Sequence, residues 1–552
     1  MPICKSCQTE FIITDSDRQF YNKISVPEPS WCPACRMQRK LAFRNPQVLY
    51  QRNCDFCQKP IISVYHPENK FPVYCRDCWW GDQWDSQAYG REWDKNRPFF
   101  EQWQELFLAV PKAALLSQNN INSDYTAHSG NDKNCYSCSV IFFAEDCFYS
   151  HWVFNSKDIV DSYMMYKNCE LCYQCFWCFQ CFNCLHAINC QNSYNLKFCY
   201  NCHGCQDCFM SFNLRNQKYV FRGQQLTETE YQKKIQEIDF SSFQQFSVLE
   251  KEFEKTKSQI IHKFAEINKV VNSTGDYLLN AKNCQSCFLV IDGEDLVNCW
   301  GCEGVKDCRD SYGFGQPVGS ELLYEIQGIG QGYNTYFSYM TYTVNDCQYL
   351  SHSHNVKDCF GCSGLKGQRF CILNKQYTES EYRKLKQQII AQMKQDGEYG
   401  EFFPPQFSPF GYNETEAQNF FPLTKDEALR QGYNWRDDIF ITKGKEIIKE
   451  LPDKIGEAPD SIVNEILACH ACQRNYKIIT QELKFYRAQK LPLPRLCPGC
   501  RHLKQLSWHN NPRRLYHRQC MRPGCANEFE TTYAPDRPEK VYCEECYRKE
   551  IY

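Results

Sequence analysis

The chain has 552 residues, 39 of them cysteine, with 63 Lys+Arg against 65 Asp+Glu and a formal net charge of −2. That balance excludes a strongly basic nucleic-acid wrapper and a strongly acidic mimic, local patches aside. A 43% apolar and 15% aromatic content is enough for packed cores in about three to four domains.

The opening Met1-Pro2-Ile3-Cys4 has no apolar export stretch. No uncharged apolar run reaches the length of about 18 residues that a membrane span needs. A cysteine-rich chain of this kind is expected in the cytoplasm, where thiols bind metal or fill space rather than form disulfides.

The elements follow in chain order. Residues 1–80 carry four cysteine pairs: Cys4/Cys7, Cys32/Cys35, Cys54/Cys57 and Cys75/Cys78. Two CxxC knuckles joined by a hairpin present four thiolates in a tetrahedron around Zn²⁺, so the segment reads as tandem zinc ribbons. In the connector 81–118, Pro98 suits the first helical position. Phe99, Phe100, Trp103, Leu106, Phe107 and Val110 then form an apolar stripe at helical spacing, which suits a docking helix.

Residues 119–225 and 273–377 hold 23 cysteines. Many follow Asn or Asp, as in Asn134-Cys135, Asp146-Cys147, Asn283-Cys284 and Asp358-Cys359. Corner residues alternate with short apolar runs, which predicts two halves of a cysteine-lined parallel β-solenoid with a coil of about 20 residues. Each half leads into a Thr-x-x-Glu capping box, Thr227/Glu230 and Thr378/Glu381. The boxes predict capping helices within 226–272, with a break near Asp239–Ser242, and within 378–400.

Residues 401–460 read as an ordered, extended linker with a short helix from Thr424 that Gly432 ends. Residues 461–552 repeat the first segment with Cys469/Cys472, Cys497/Cys500, Cys520/Cys525 and Cys543/Cys546. The spacers match: 24 residues separate Cys7 from Cys32 and Cys472 from Cys497, and 17 separate Cys57 from Cys75 and Cys525 from Cys543. Arg44-Asn45-Pro46 is echoed by Asn510-Asn511-Pro512-Arg513. The fold class is therefore mainly β with helical caps: tandem zinc ribbons at both ends flank a duplicated solenoid.

Four Cys₄ sites with no open position are structural zinc sites, and no organic cofactor is implied. Each Zn(Cys⁻)₄ carries −2, so four filled sites bring the formal net charge from −2 to about −10. Basic residues follow the second pair at each end: Arg36, Arg39, Lys40, Arg44 and Arg52, then Arg501, Lys504, Arg513, Arg514 and Arg518. With Trp508, His509, Tyr516 and His517 interleaved, they suit phosphate contact and base stacking. The competing reading has them hydrogen-bonding and shielding the thiolates, and a protein surface is a third.

Cys169, Cys172, Cys175, Cys178, Cys181 and Cys184 recur every third residue. The interleaved Phe176, Trp177, Phe179 and Phe182 favour a packed ladder over extra zinc or an iron–sulfur cluster. Cys199, Cys202 and His203 match the c-type haem pattern, which so many cysteines generate by chance. His352 and His354 could serve catalysis beside Cys347, but their Ser/Asn-rich setting favours solvated loop residues.

Together the Trp31–Arg36, Trp79-Trp80, Phe360–Leu365, Cys371–Tyr377, Glu482–Tyr486 and Thr532–Arg537 segments resemble a family. It comprises the cysteine-rich, multi-zinc-ribbon proteins of uncultivated small-genome (candidate phyla radiation) bacteria. The resemblance implies zinc and architecture but no reaction. A CoA-transferase label carried by some relatives finds no acyl-CoA phosphate site or catalytic carboxylates here.

The expectation is a non-enzymatic zinc scaffold or adaptor contacting RNA, DNA or a ribosome- or polymerase-type machine through its ends. The alternative is a thiol-rich metal-buffering or redox protein. An enzyme with a site in the solenoid groove is a third class, without a nucleophile–base pair to support it. No membrane partner is expected, and the sequence leaves the oligomeric state open.

Overall fold

The computed structural model describes the whole chain except residues 314–318, 440–441, 446–449 and 511–512. The echo at Asn511-Pro512 and short pieces of the second half and the linker fall outside the described residues. The protein is mostly β with several helices.

Two large sheets dominate, called here stack A (residues 117–225) and stack B (residues 267–376). Almost every pairing within them is parallel. The chain returns beside itself every twelve residues: Ser139 pairs His151, His151 pairs Tyr163, and Leu185 pairs Lys197. In stack B, Leu278 pairs Val290, Val290 pairs Cys302, and Cys359 pairs Cys371. The spacing is thirteen between Tyr163 and Phe176, eleven between Ile267 and Leu278, and fifteen between Val305 and Ser320. The expected period of about 20 residues is thus corrected to twelve.

A smaller repeat lies inside the twelve. Every third residue takes a left-handed backbone, as at Ser137, Val140, Phe143, Asp146, Tyr149 and Trp152, with φ between 51° and 59°. Such angles are uncommon for residues with a Cβ, and Asn and Asp tolerate them best. Here the parallel ladder of backbone hydrogen bonds holds bulky residues in them too.

The residue after each such corner points inward. This explains the Asn/Asp-Cys motif: Asn or Asp turns the corner and the thiol enters the core. Cys135, Cys138, Ile141 and Ala144 face inward around one turn of stack A and Cys147 begins the next, and Cys284, Cys287, Val290, Leu296 and Cys299 lie in the corresponding core of stack B. The thiols donate to carbonyls on their own turn and the next. Cys178 reaches Phe176 O at 3.5 Å and Ala187 O at 3.4 Å.

Both stacks close alike. Gln224–Gln225 folds back antiparallel on Lys218–Phe221, and Lys375–Gln376 does so on Arg369–Ile372. The hairpins cover edges that would otherwise template aggregation. Thr227 then caps the helix Glu228–Gln236, which gives way to a second helix, Phe243–Gln259, while Thr378 caps Glu379–Gln395.

Helix Phe99–Ala109 starts one residue later than expected, with Pro98 as N-cap. Its first amides, on Phe99 and Phe100, donate to the Glu398 carboxylate at 2.9 and 3.3 Å. Its aromatic stripe packs on stack B. Gly361 allows this contact, because a Cβ there would sit 2.3 Å from the Phe99 ring. Phe402, Phe403, Phe407 and Phe410 of the linker are buried in the same cluster.

The end modules cross over. The N-terminal module lies next to stack A in sequence but docks on stack B, where Tyr21 meets Tyr324 and Phe43 meets Tyr339. The C-terminal module docks on stack A, where Phe485 and Tyr486 meet Tyr173. The stacks also touch each other, Trp152 against Tyr312 and Phe176 against Tyr277.

Candidate metal centres

Four groups of cysteines converge: Cys4/Cys7/Cys32/Cys35, Cys54/Cys57/Cys75/Cys78, Cys469/Cys472/Cys497/Cys500 and Cys520/Cys525/Cys543/Cys546. In each group all four sulfurs lie within 4.8 Å of one another. Sulfurs of opposite pairs sit 3.8 Å apart at Cys7–Cys32 and at Cys57–Cys75. They sit 3.6 Å apart at Cys472–Cys497 and 3.9 Å at Cys525–Cys543. A tetrahedron with Zn–S bonds of about 2.3 Å has edges of about 3.8 Å, whereas a disulfide needs about 2.05 Å. The donor set and its size fit structural Zn²⁺.

The local chain explains the geometry. The first pair of each site sits on a tight turn. Gln8, Gln58 and Gln473, each just after the second cysteine, take φ of 60°, 62° and 61°. The second pair is not a knuckle, which corrects the ribbon expectation at all four sites. Cys32, Cys75, Cys497 and Cys543 are N-caps of Pro33–Leu41, Arg76–Trp80, Pro498–Leu506 and Glu544–Ile551. Cys35, Cys78, Cys500 and Cys546 follow in the first turns. A helix N-terminus offers free amides and a positive dipole end to a thiolate.

Amides also hold the first pairs. Cys32 N–H donates to Cys4 Sγ at 3.2 Å, Cys75 N–H to Cys54 Sγ at 3.1 Å, and Cys543 N–H to Cys520 Sγ at 3.3 Å. The Lys59 amide and neighbouring thiols bring Cys57 down to about 7. At Cys469 burial works the other way, but the Cys497 and Cys472 amides outweigh it and hold the thiol at about 7.

Residues 2–44 match a family model described as a probable treble clef domain. A turn-borne pair joined to a helix-borne pair agrees with that description. No curated protein and no solved structure matches the chain.

The basic residues expected to face nucleic acid are mostly inside. Arg36 pairs with Asp310 at 2.6 Å, Arg39 with Glu325 at 3.0 Å and Glu401 at 3.1 Å, and Arg44 with Glu416 at 3.3 Å. Lys40 is fully buried and donates to Arg36 O at 3.0 Å. The Arg52 side chain is 6% exposed and binds Asp55. In the C-terminal module Arg501 binds Asp161 at 2.9 Å and Glu482 at 3.0 Å. Lys504 pairs with Glu250, and Arg513 lies 4.4 Å over the Phe420 ring. Arg518 donates to Ala534 O at 3.2 Å, and only Arg514 is exposed.

The competing thiolate-shielding reading is corrected as well. These cations mostly neutralise carboxylates, and Arg36 and Arg501 bind an Asp on the opposite stack, in the matching sequences Asp310-Ser311-Tyr312 and Asp161-Ser162-Tyr163. Charge patterning could not show this, because the partners Asp310, Glu325, Glu416, Asp161 and Glu250 lie more than a hundred residues from the cations they meet.

His352 and His354 are buried rather than solvated. Tyr65 Oη lies 2.9 Å from His352 Nε2, and His354 stacks on Tyr342. Cys199 and Cys202 belong to the stack A core, so the haem-like spacing is part of the three-residue repeat. All 23 stack cysteines are buried. A further trio, His66, Glu68 and Asp438, brings three donors together, but Arg436 already lies 3.6 Å from Asp438. Among the described residues no helix is long and apolar enough to cross a membrane.

Proposed function

We propose that the protein is a non-enzymatic, zinc-dependent scaffold. In this reading the two stacks are parallel β-solenoids of four three-residue sides per turn, and the end modules are clasps that lock them side by side. The single observation carrying it is the crossed docking: the Arg36–Asp310 and Arg501–Asp161 pairs, both buried, join each end to the stack remote from it. The membership suggested by the cysteine-rich multi-zinc resemblance and a cytoplasmic location form part of the same proposal.

An RNA, DNA or ribosome- or polymerase-type partner belongs to it only on outer faces, since Arg514 alone of the ten basic residues is exposed. Thiol buffering is the weaker alternative, because each working sulfur would have to leave a filled core.

Small-angle X-ray scattering with and without a chelator tests the clasp role. The radius of gyration should rise when zinc leaves. An unchanged profile after complete zinc loss would rule the role out. Salt-dependent retention of an RNA or DNA pool by the zinc-loaded chain tests the partner.

A further inference from the structure

The two halves are duplicates, and a cavity lies at the same corner of each, about 490 Å³ beside Trp80 and Gln118 and about 530 Å³ beside Arg548 and Lys269, but the lining differs. In stack B, Lys366 is enclosed by the rings of Trp79, Trp80 and Trp84, whose centroids lie 4.4, 5.6 and 4.5 Å from its ammonium. The Trp79 and Trp80 rings also lie 5.3 and 4.8 Å from that of His354. The counterparts of Lys366 and His354 in stack A are Arg215 and His203, paired in the same register. The counterparts of Trp79, Trp80 and Trp84, counted from Cys75 and Cys543, are Tyr547, Arg548 and Tyr552.

These smaller or charged residues give the second corner a more cationic lining. Tyr552 still covers Arg215, at 4.8 Å, but Arg548 turns away to Glu544 at 2.7 Å. A cavity of about 530 Å³ remains. This lies within the range of roughly 300–1,000 Å³ usual for small-ligand pockets.

The lining is chemically divided. Trp177, Phe179, Ile267 and Leu279 give it an apolar wall. Its cations are Arg215, Lys263, Lys269 and Arg548, against the carboxylates of Glu266 and Glu544. Glu544 is taken by Lys263 at 2.6 Å and by Arg548. Burial pushes the Glu266 carboxyl up, toward its neutral form. Among the described residues Arg215, which donates to Tyr552 Oη at 2.7 Å and Asn201 O at 2.6 Å, and Lys269 have no carboxylate partner, so the cavity has a surplus of positive charge beside aromatic rings. Ring stacking plus a guanidinium is the combination that holds a planar ring bearing an anionic group.

We propose that this cavity binds an anionic, ring-bearing small molecule of mononucleotide size, with Arg215 and Lys269 facing the anion and Trp177 and Phe179 beside the ring. The test is calorimetric titration of the zinc-loaded full chain with AMP, adenosine and inorganic phosphate. AMP should bind saturably with a Kd below about 1 mM and more weakly as salt rises, and phosphate should compete. Arg548→Trp, which removes a cation and copies the residue of the other half, and Leu279→Trp should each weaken AMP at least about tenfold, a loss of about 1.4 kcal/mol, with zinc content unchanged. No saturable AMP binding, adenosine binding as tightly as AMP, or undiminished binding in both variants would each overturn the assignment.

Discussion

At the first site of the N-terminal module four sulfurs turn toward one point, while in the run Cys169–Cys184 six sulfurs each turn to a carbonyl on the next turn of chain. Both arrangements spend cysteine densely, and for different physical reasons. The module is a short segment whose helices Asp15–Lys23 and Pro33–Leu41 have nine residues each, too few to enclose a core unaided. The stack needs no metal, because each turn pairs with the next along its length and cysteine fills the narrow interior as a small, weakly donating apolar group. Metal supplies what length cannot, and repetition makes metal unnecessary.

Zinc removal should break the comparison open. Apparent binding energies of about 10–16 kcal/mol for structural zinc are as large as a domain's whole stability. Under a chelator, hydrogen exchange should become fast in Pro33–Leu41 and Pro498–Leu506 and stay slow in strands such as Tyr194–Tyr200 and Cys287–Val297. Equal loss of protection in modules and stacks would mean that the stacks depend on metal too.

The buried ion pairs come next. Arg501→Met leaves Asp161 and Glu482 facing each other without a cation, which should cost about 3–5 kcal/mol. Arg36→Met should cost less, because it strips the cation from Asp310 alone while Arg39 still serves Glu325. Urea unfolding of both variants checks the order, and a larger loss at Arg36 would contradict the account of the two clasps.

Acid should act on the stacks through their buried histidines. Burial keeps His354 at about 3 and His203 at about 4, and it holds His128, His186 and His352 far below their ordinary value. A group depressed in the fold gives stability that is complete above its unfolded value near 6.5 and fades as pH falls toward the folded value. Asp132 and Glu303, each raised by burial to about 7, act oppositely and lose stability as pH rises through that value. Asp161, Asp276 and Asp310 are raised by burial too, so the histidine share is read as a difference: between about pH 6.5 and about pH 4 the melting temperature of the unaltered chain should fall more than that of a His203→Gln variant. Zinc content followed in parallel separates this loss from thiolate protonation. An equal fall in both chains with zinc retained would show that His203 does not titrate as a buried group.

Within the ladder a single sulfur matters less. Cys178→Ala removes one buried atom group and should cost about 1–2 kcal/mol, while Cys178→Leu should cost more by overfilling the file. The same Cys→Ala change at Cys32 removes a zinc ligand, and its much larger effect in urea would separate the two uses of cysteine.

The metal groups were legible because tetrahedral ligation demands near pairs at fixed separations, and those separations repeat at both ends. The treble clef arrangement was less so. Pro33 and Pro498 at the first helical position announce a helix after the second pair, a signal the knuckle pattern hid. The twelve-residue turn was obscured because Ser150, Val153, Ser156, Ile159 and Ser162 occupy inward positions as readily as cysteine. Spacing counted from cysteine to cysteine skips those turns, although the unbroken run from Cys169 to Cys184 displays the three-residue unit directly. The crossed docking left no local trace at all, since Arg36 and Asp310 carry no mark of each other in the sequence.

The smallest expected effect concerns the caps that follow each stack. Thr227 and Thr378 each accept an amide from the third helical residue while Glu230 and Glu381 return a bond to the cap. Replacing either threonine by alanine should cost about 1 kcal/mol. The helices are not equally anchored: Glu379–Gln395 buries Tyr382, Ile389 and Met393, whereas Glu228–Gln236 buries only Tyr231. Loss of the cap should therefore fray the helix after stack A visibly in hydrogen exchange and leave the helix after stack B nearly protected. Equal fraying would show that packing against the closing strands contributes little and that the cap alone starts both helices.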